Sequence, residues 1–391
     1  MRGGDLLPRA EYVSASVLGF MIIASAILPS IGYSNVLLSA VTSTVSASTT
    51  TLTSQIGLNQ TQEPCTVMHP DPATLREWIR QYNSNPLAIT DPRLSARASA
   101  ILQFSLLSYL QYTPSERSQG NAGNCWVWAG TGVLEIALGV QGGPRDRLSI
   151  QYFDSNYNGG TTTIWGKWAG CGGSLTDFAA FYNTKKMAIP WSNTNAYYQD
   201  SLQSCESGKT SVSASSISTS PNYPITACAA NTIRTQGVGQ STAIANIKNT
   251  LLQNKAVCFS FGLANSADWK NFNDFWKYQG ERDRWSPDFS NGHTYNSNEG
   301  AWHSVLCVGW DDHDPNLSYW IMVNSWGTTS RRTFGIFLLD MNINYDCGYY
   351  FPSWPFFYYS LQWETLDVSF ARHNVHLESR EDNGASSNKG M

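Results

Sequence analysis

The chain has 391 residues with a formal net charge of −4, and a length of this order predicts two or three domains at ~150 residues each. A weakly acidic chain without a basic block is not expected to bind nucleic acid, because phosphates are held by clustered cations. Aromatic residues make up 13% of the chain and charged residues only 14%, which excludes disorder over the whole length and favours an exported protein over a cytosolic one.

The N-terminal part of the chain carries no charged residue from Tyr12 to Gln62. Its apolar stretch from Val13 to Leu28 predicts that residues 1–33 are a signal peptide or a membrane anchor. Residues 34–64 are rich in Ser and Thr, a composition typical of a tether. In both cases the rest of the chain is expected to be secreted or to lie on the extracellular face of the membrane. Only an uncleaved N-terminal segment would contact the membrane.

Two stretches with apolar residues at helical spacing follow the tether. The stretch from Asp71 to Tyr82 opens with an Asp-Pro pair, a common helix start, and a second helix is predicted from Pro92 to Tyr112. Residues 65–113 are therefore predicted to form a helical unit. At the other end of the chain, residues 371–391 are predicted to be a polar tail.

The chain between these parts changes from helical to strand-like patterns. Helices are predicted at 125–139, 149–155, 176–182 and 244–253, and strands at 256–263, 304–310, 319–324 and 334–339. The Ser/Thr/Asn-rich residues 204–236 are predicted to be a surface loop. A helical half followed by a strand-rich half indicates an α+β protein with two lobes.

Cys125 stands where a turn-rich loop meets the first turn of a predicted helix. The free N–H groups and the positive dipole end of a helix stabilise a thiolate, which is the nucleophilic form of cysteine. By itself such a cysteine is more often a small core residue. However, His303 begins a later strand and Asn324 ends the next one, so a hairpin would place the two side by side, shielded by Trp326. Nucleophile, base and orienting group together indicate a catalytic triad.

These motifs resemble those of the papain-like cysteine peptidases over about residues 114–350. The family's Gln-Gly-x-x-Gly-x-Cys-Trp pattern matches residues 119–126, and its Asn-Ser-Trp-Gly pattern matches residues 324–327. The resemblance implies that Cys125 is the nucleophile and that His303 is the general base and then the acid. It further implies that Asn324 fixes the histidine tautomer, while Gln119 and the Cys125 backbone N–H hold the oxyanion.

The resemblance also implies the fold and the activity. Residues 114–370 are expected to form a catalytic domain of papain-like α+β fold, with a helical lobe, a β-barrel-like lobe and the active-site cleft between them. Residues 65–113 would then be an inhibitory pro-segment or a structural brace. The implied activity is that of a monomeric thiol endopeptidase, which cleaves peptide or protein substrates without a cofactor. Three alternatives stay open: a transpeptidase or amidase, a catalytically silent surface protein on the same fold, and an unrelated Cys-His hydrolase, which the Asn-Ser-Trp-Gly context disfavours.

Three further residues are expected to bind the substrate. Gly172 and Gly173 resemble the family's glycine pair, which lets an extended peptide backbone approach the cleft wall, although a simple turn would also explain them. Trp326 is the third. The remaining residues of the nucleophile loop, Asn121, Ala122 and Asn124, are expected to be loop fillers. No HExxH or paired CxxC spacing is present, so a metal site is not predicted.

The chain departs from the family in its spacing and its cysteines. His303 follows Cys125 by 178 residues, more than the ~130–150 usual in papain relatives. The excess is expected in the 205–228 loop and in residues 265–300, a possible added cleft wall. Ala122 stands where the family often has a bridging cysteine, so a bridge from that loop is not expected. Cys205 and Cys228 are predicted to form a disulfide instead, with Cys258 and Cys307 reduced in the core.

Overall fold

The computed structural model describes residues 66–352 and 354–371. The chain divides into two units, Met1–Asn59 and Gln60–Met391, and the described residues all lie in the second. The predicted signal peptide or anchor, the Ser/Thr-rich tether and most of the predicted tail lie outside the described residues. Within residues 66–352 and 354–371, no helix combines the length and the hydropathy needed to cross a membrane.

The helices of the described residues begin and end close to the predicted positions in most cases. The first helix starts at Pro72, which directly follows Asp71. The Asp71 carboxylate accepts hydrogen bonds from the backbone N–H groups of Ala73 and Thr74. The helices are α1 (Pro72–Ser84), α2 (Pro92–Ala98), α3 (Cys125–Val140), α4 (Ile150–Asn156), α5 (Leu175–Lys185), α6 (Gln240–Leu252) and α7 (Ser266–Tyr278).

The strands supply the second lobe. They are β1 (Gln103–Ser105), β2 (Met187–Ala188), β3 (Tyr223–Thr232), β4 (Val257–Leu263), β5 (Arg284–Trp285), β6 (Ala301–Asp311), β7 (Tyr319–Val323), β8 (Ile336–Asp340), β9 (Gly348–Phe351), β10 (Trp354–Tyr359) and β11 (Leu361–Phe370). The main sheet has the order β2-β3-β11-β4-β6-β7-β8-β5, with β1 paired to β6 and a separate β9–β10 pair. The predicted α+β fold is thus confirmed. The strand-rich lobe differs from the expectation because the sheet is open, with free ends at β2 and β5, and is not closed into a barrel.

Helix α3 is the central helix of the molecule. Most of its residues are buried, including both tryptophans of its first turn. Two glycines permit this close packing: a Cβ at Gly130 would lie 2.9 Å from the ring of Phe178, and one at Gly132 would lie 2.5 Å from a methyl of Leu306. The second contact joins the helix to β6. As a result, the N-terminus of α3 is held against the strand that carries His303.

Two predicted elements are wrong because long-range pairing overrides local pattern. The second predicted helix, Pro92 to Tyr112, ends at Ala98, and β1 then pairs with β6, with Ser105 opposite Gly309. The predicted loop at 204–236 contains β3, which pairs antiparallel with β11 over most of its length. Neither strand shows a strong local strand signal, so only the partner strand reveals it.

The predicted disulfide between Cys205 and Cys228 is also wrong. Cys205 is bonded to Cys171, and Cys228 is a free, buried thiol in β3. The backbone N–H of Cys228 donates to the side chain of Asn183 in α5, so strand pairing and helix packing hold it away from the 205 loop. Ala122 packs against Cys171 and Trp168, and the Gly123 N–H donates to the Gly170 carbonyl over 2.9 Å. The nucleophile loop therefore meets the glycine loop through packing and a hydrogen bond.

Breaking the Cys171–Cys205 bridge should destabilise the fold. The bridge closes a segment with a sequence separation of 34 residues, for which the chain-entropy model gives a stabilisation of about 4 kcal/mol. We expect Cys205→Ala to lower the free energy of unfolding by this order in urea denaturation. Cys228→Ala is the control, since it removes a buried thiol without a bridge. Under reducing conditions the wild type should become as unstable as Cys205→Ala, and a difference that persists there would contradict the assignment.

Candidate active site

The predicted nucleophile lies where the N-terminus of α3 packs against β6. Cys125 is the first residue of α3, and its side chain is fully buried. Its sulfur accepts a hydrogen bond from the backbone N–H of Ser304 over 3.4 Å. Since Ser304 follows His303 in β6, the thiol lies against the backbone next to the predicted base. The structure therefore brings the two together from positions far apart in the chain.

The register of β6 and β7 brings the predicted base to the predicted orienting amide. His303 Nε2 lies 2.8 Å from Asn324 Oδ1, and the same oxygen accepts the backbone N–H of Ser325 over 2.8 Å. Because that oxygen accepts, Nε2 must carry the hydrogen, which leaves Nδ1 of the neutral ring as a free acceptor. Within the described residues, this buried Nδ1 has no hydrogen-bond partner. The Trp326 ring covers the imidazole at a centroid distance of 4.6 Å.

The Gln119 side chain is fixed at both ends. Its Oε1 accepts the Ser325 hydroxyl over 2.6 Å, and its Nε2 donates to the Ala122 carbonyl over 2.7 Å. The second hydrogen of Nε2 is donated to the carbonyl oxygen of Thr66, 2.9 Å away. Ser325 therefore orients the predicted oxyanion donor, a role that the motif alone did not reveal. The donor is aimed at a carbonyl oxygen, the kind of group that a peptide substrate would present.

That carbonyl belongs to a segment N-terminal to α1, which we call the cleft segment (residues 66–69). Met68 pairs with Trp302 through two backbone hydrogen bonds of 2.8 Å, one in each direction. The cleft segment and α1 also cover the predicted glycine pair: a Cβ at Gly172 would lie 2.8 Å from the Trp78 ring and 3.2 Å from Met68 Cβ. With these contacts in place, Cys125 and His303 are both fully buried.

The two predicted substrate-binding glycines have different surroundings. Gly172 has φ +105° and faces the cleft segment, so a side chain there is excluded by both backbone conformation and space. A Cβ at Gly173 would instead lie 2.5 Å from the Trp126 ring. Of the two glycines, Gly172 therefore faces an extended chain in the cleft. Gly173 is needed for close packing against Trp126.

Residues 265–300, predicted to be an added cleft wall, form α7 and the loops that flank β5. Phe272 of α7 packs against Trp326 with ring centroids 5.1 Å apart. Thr66 also lines a groove whose other lining residues include Asn121, Ser204, and Trp269 and Asn273 of α7. Helix α7 therefore borders the groove. In the described residues, no group of three His, Cys, Asp or Glu side chains is placed to hold a metal ion.

Burial keeps both reactive groups neutral in this arrangement. Loss of water raises the pKa of the Cys125 thiol to about 12, against smaller opposing effects of the Ser304 and Trp126 backbone N–H groups. Burial also lowers the pKa of His303 to about 4, which the hydrogen bond to Asn324 opposes. With the cleft segment in place, the pair is therefore thiol and imidazole at neutral pH.

Comparison with known proteins identifies related sequences and folds. Residues 111–351 match the family described as papain family cysteine protease. Among solved structures, xylellain, a cysteine protease from Xylella fastidiosa, has 16% identity and a TM-score of 0.47, covering 78% of this chain and 96% of that one. Bromelain from Ananas comosus has 16% identity and a TM-score of 0.43, covering 68% and 97%. Procathepsin L2 from Tenebrio molitor has 16% identity and a TM-score of 0.45, covering 75% and 79%. The comparison with curated proteins gives no match.

The thiol of Cys125 should react slowly in the full chain. Because its pKa is raised to about 12, the thiolate fraction at pH 7 is far below that of a free cysteine, whose pKa is ~8.5. We expect alkylation of Cys125 by iodoacetamide, followed by peptide mapping, to be slow at neutral pH and to rise steadily above pH 9. A rapid alkylation rate that is constant from mildly acid pH upward would contradict this. It would indicate a thiolate–imidazolium pair that is already present while the cleft segment is in place.

Proposed function

Because the chain belongs to the papain family of cysteine proteases, we propose that it is a thiol endopeptidase that cleaves peptide bonds through an acyl-enzyme on Cys125. The observation that carries this proposal is the buried His303–Asn324 pair, which leaves Nδ1 of the ring without a partner among the described residues, while the Cys125 sulfur accepts the backbone N–H of the next residue, Ser304. Such an arrangement has no purpose in a binding module. The same groups could serve an amidase or transpeptidase, which analysis of products from a defined peptide would distinguish.

In the proposed reaction, His303 Nδ1 takes the proton of Cys125 and the sulfur attacks the substrate carbonyl carbon. The negative charge moves to the carbonyl oxygen, where the backbone N–H of Cys125 and the Gln119 Nε2 hydrogen that Thr66 accepts in this structure would stabilise it. The imidazolium then returns its proton to the departing amine, which leaves a thioester. Water, deprotonated by the same nitrogen, attacks the thioester and releases the acid and the thiol. Asn324 keeps the ring oriented throughout.

We also propose that the segment N-terminal to residue 114 is an inhibitory pro-segment. Two contacts support this interpretation over that of a brace: the Thr66 carbonyl accepts from Gln119 Nε2, and Met68 pairs with Trp302 inside the cleft. A substrate cannot enter while these contacts persist. Once the segment leaves, water reaches the site, so the thiol pKa should fall and the imidazole pKa should rise. A thiolate–imidazolium pair then becomes accessible, and kcat/KM should be bell-shaped in pH.

We also propose where the protein is located. A chain that holds a Cys171–Cys205 disulfide fits an oxidising compartment, which supports a secreted protein or one on the extracellular face of a membrane. The substrate is proposed to be a peptide or protein, and the enzyme a monomer. Detection of the protein in culture medium, with N-terminal sequencing of the mature form, tests the location and any cleavage before residue 114.

Four substitutions test the assigned roles. Cys125→Ala and His303→Ala should abolish turnover of a peptide, because each removes the covalent route. Gln119→Ala and Asn324→Ala should each lower kcat by ~10²–10³ with little change in KM, since neither group mainly binds the ground state. Steady-state kinetics on one peptide after activation separates these outcomes. A raised KM with unchanged kcat in Gln119→Ala would show that this side chain binds substrate and is not an oxyanion donor.

The inhibitory role of the segment is tested by loosening its anchor. Trp78 of α1 is buried against Gly172, so Trp78→Ala should weaken docking and speed the labelling of Cys125 by a peptidyl epoxide at least tenfold in the full chain. Trp165→Ala is the matched control, because that side chain is 90% exposed and lies on a surface turn. Equal labelling rates in the wild type and in both variants would leave the brace as the better interpretation.

A further inference from the structure

A buried polar network lies beneath the nucleophile loop, on the side away from the cleft. Asn124 directly precedes α3, but its side chain makes no capping hydrogen bond to that helix. Instead, its Nδ2 donates to Asp154 Oδ2 in α4 over 2.7 Å and to the Tyr198 hydroxyl over 3.3 Å. The Tyr198 hydroxyl in turn donates to the Gln119 carbonyl over 2.8 Å. Both ends of the 119–124 loop are thus tied to the same network, and the expectation that Asn124 is a loop filler is wrong.

Asp154 lies beside a second buried carboxyl group, Asp200, and the two differ in their partners. Asp200 accepts four hydrogen bonds, from Gln151, Thr210 and the backbone and hydroxyl of Ser211. Asp154 accepts one, from Asn124, and among the described residues no donor reaches its Oδ1. Burial, then the charge of Asp200 and a hydrogen bond between the two groups, raise the pKa of Asp154 well above its usual range. Burial and the scarcity of donors therefore both favour the neutral form of Asp154.

We propose that Asp154 and Asn124 form a positioning pair that holds the nucleophile loop in its reactive geometry. The inference rests on the proposed function, because the loop matters through its two oxyanion donors, the Gln119 side chain and the Cys125 backbone N–H. Neither Asn124 nor Asp154 would touch the substrate. They act through the loop, as positioning residues and not as catalytic ones.

The side-chain network adds to the other ties of the loop. The loop contains two glycines, at 120 and 123, and Gly120 has φ +60°. The disulfide between Cys171 and Cys205 does not include it. Its other ties are the hydrogen bonds of the Gln119 side chain, the packing of Ala122 and three backbone hydrogen bonds, from Gln119 to Ser325, from Asn121 to Ser201 and from Gly123 to Gly170. A displacement of ~1 Å at an oxyanion donor can cost ~10²-fold in rate, so the side-chain network has a direct kinetic consequence.

The neutral state of Asp154 also fits the chemistry. A carboxylate buried behind the N-terminus of α3 would oppose the negative charge that develops on Cys125 and on the substrate oxygen. A protonated carboxyl group accepts from Asn124 without adding charge, and its hydroxyl can still donate. An amide has the same shape and the same acceptor and donor. Asp154→Asn should therefore preserve the network, whereas Asp154→Ala breaks it.

Three variants and one control test the proposal on the full chain, activated by the same procedure. Asn124→Ala and Asp154→Ala should lower kcat for a peptide by ~10–100-fold, with KM within about twofold of the wild type. The kcat of Asp154→Asn should be at least tenfold higher than that of Asp154→Ala. Asn193→Ala is the matched control: this buried asparagine also donates two hydrogen bonds, to Ser218 and Pro221, and neither reaches the loop. It should lower the melting temperature while kcat per active site is kept.

Alkylation by iodoacetamide supplies the readout that a purely structural role would not move. Alkylation needs the thiolate but no oxyanion donor, so its rate in activated Asn124→Ala should stay within about twofold of the wild type while peptide turnover falls. The proposal is overturned if kcat is unchanged in folded Asn124→Ala, if alkylation falls in parallel with turnover, or if Asp154→Asn is as slow as Asp154→Ala. An inactive wild type would instead refute the proposed function. If Asp154→Ala fails to fold, the kcat values of Asn124→Ala and Asp154→Asn relative to the wild type still test the proposal.

Discussion

The contact between the N-terminus of α3 and strand β6 is the constraint on which the rest of this structure depends. The helix is buried almost all round, and Gly132 lets it approach Leu306 closely enough for Cys125 to accept a hydrogen bond from Ser304. Strand β6 is held from both sides, by β4 over residues 301–307 and then β1 on one side, and by β7 from Leu306 onward on the other. The helical lobe then supplies the thiol, the sheet supplies the imidazole, and neither lobe forms the site alone.

Local sequence signals predicted those parts of the site that are carried by a single element. The nucleophile loop, the strand after His303 and the end of β7 at Asn324 were predicted because each has a motif within a few residues. Strands β1 and β3, the Cys171–Cys205 bridge and the role of Asn124 were not. Their identity depends on partners far away in the chain, such as β11 for β3 and Asp154 for Asn124. A sequence read element by element has no signal for such a partner, and tertiary pairing overrides the local pattern.

Under the proposed function, desolvation would explain how a closed form, with residues 66–69 in the cleft, and a reactive form differ in charge while sharing one geometry. The Asn324 amide can orient the imidazole whether the ring is neutral or protonated, and the dipole of α3 is aimed at the sulfur in both cases. The access of water would change when the Thr66 and Met68 contacts break. The proposed catalytic groups would then need no rearrangement on activation, and the docking of α1 would offset the free-energy cost of burying the neutral pair.

The register of β6 has a consequence for how broadly the cleft can accept peptides. Residues 301–305 pair with β4 on one side, but β7 begins its pairing only at Leu306, so the other edge of this stretch is left for the chain at Met68. The two ends of the main sheet are strands of only two residues each, which offer little edge for another chain to join. Under the proposed function, an extended peptide that replaces Met68 would pair with this edge through its backbone. Hydrogen bonds to main-chain groups do not depend on side-chain identity, so the edge would tolerate many sequences and discrimination would come from the walls around it.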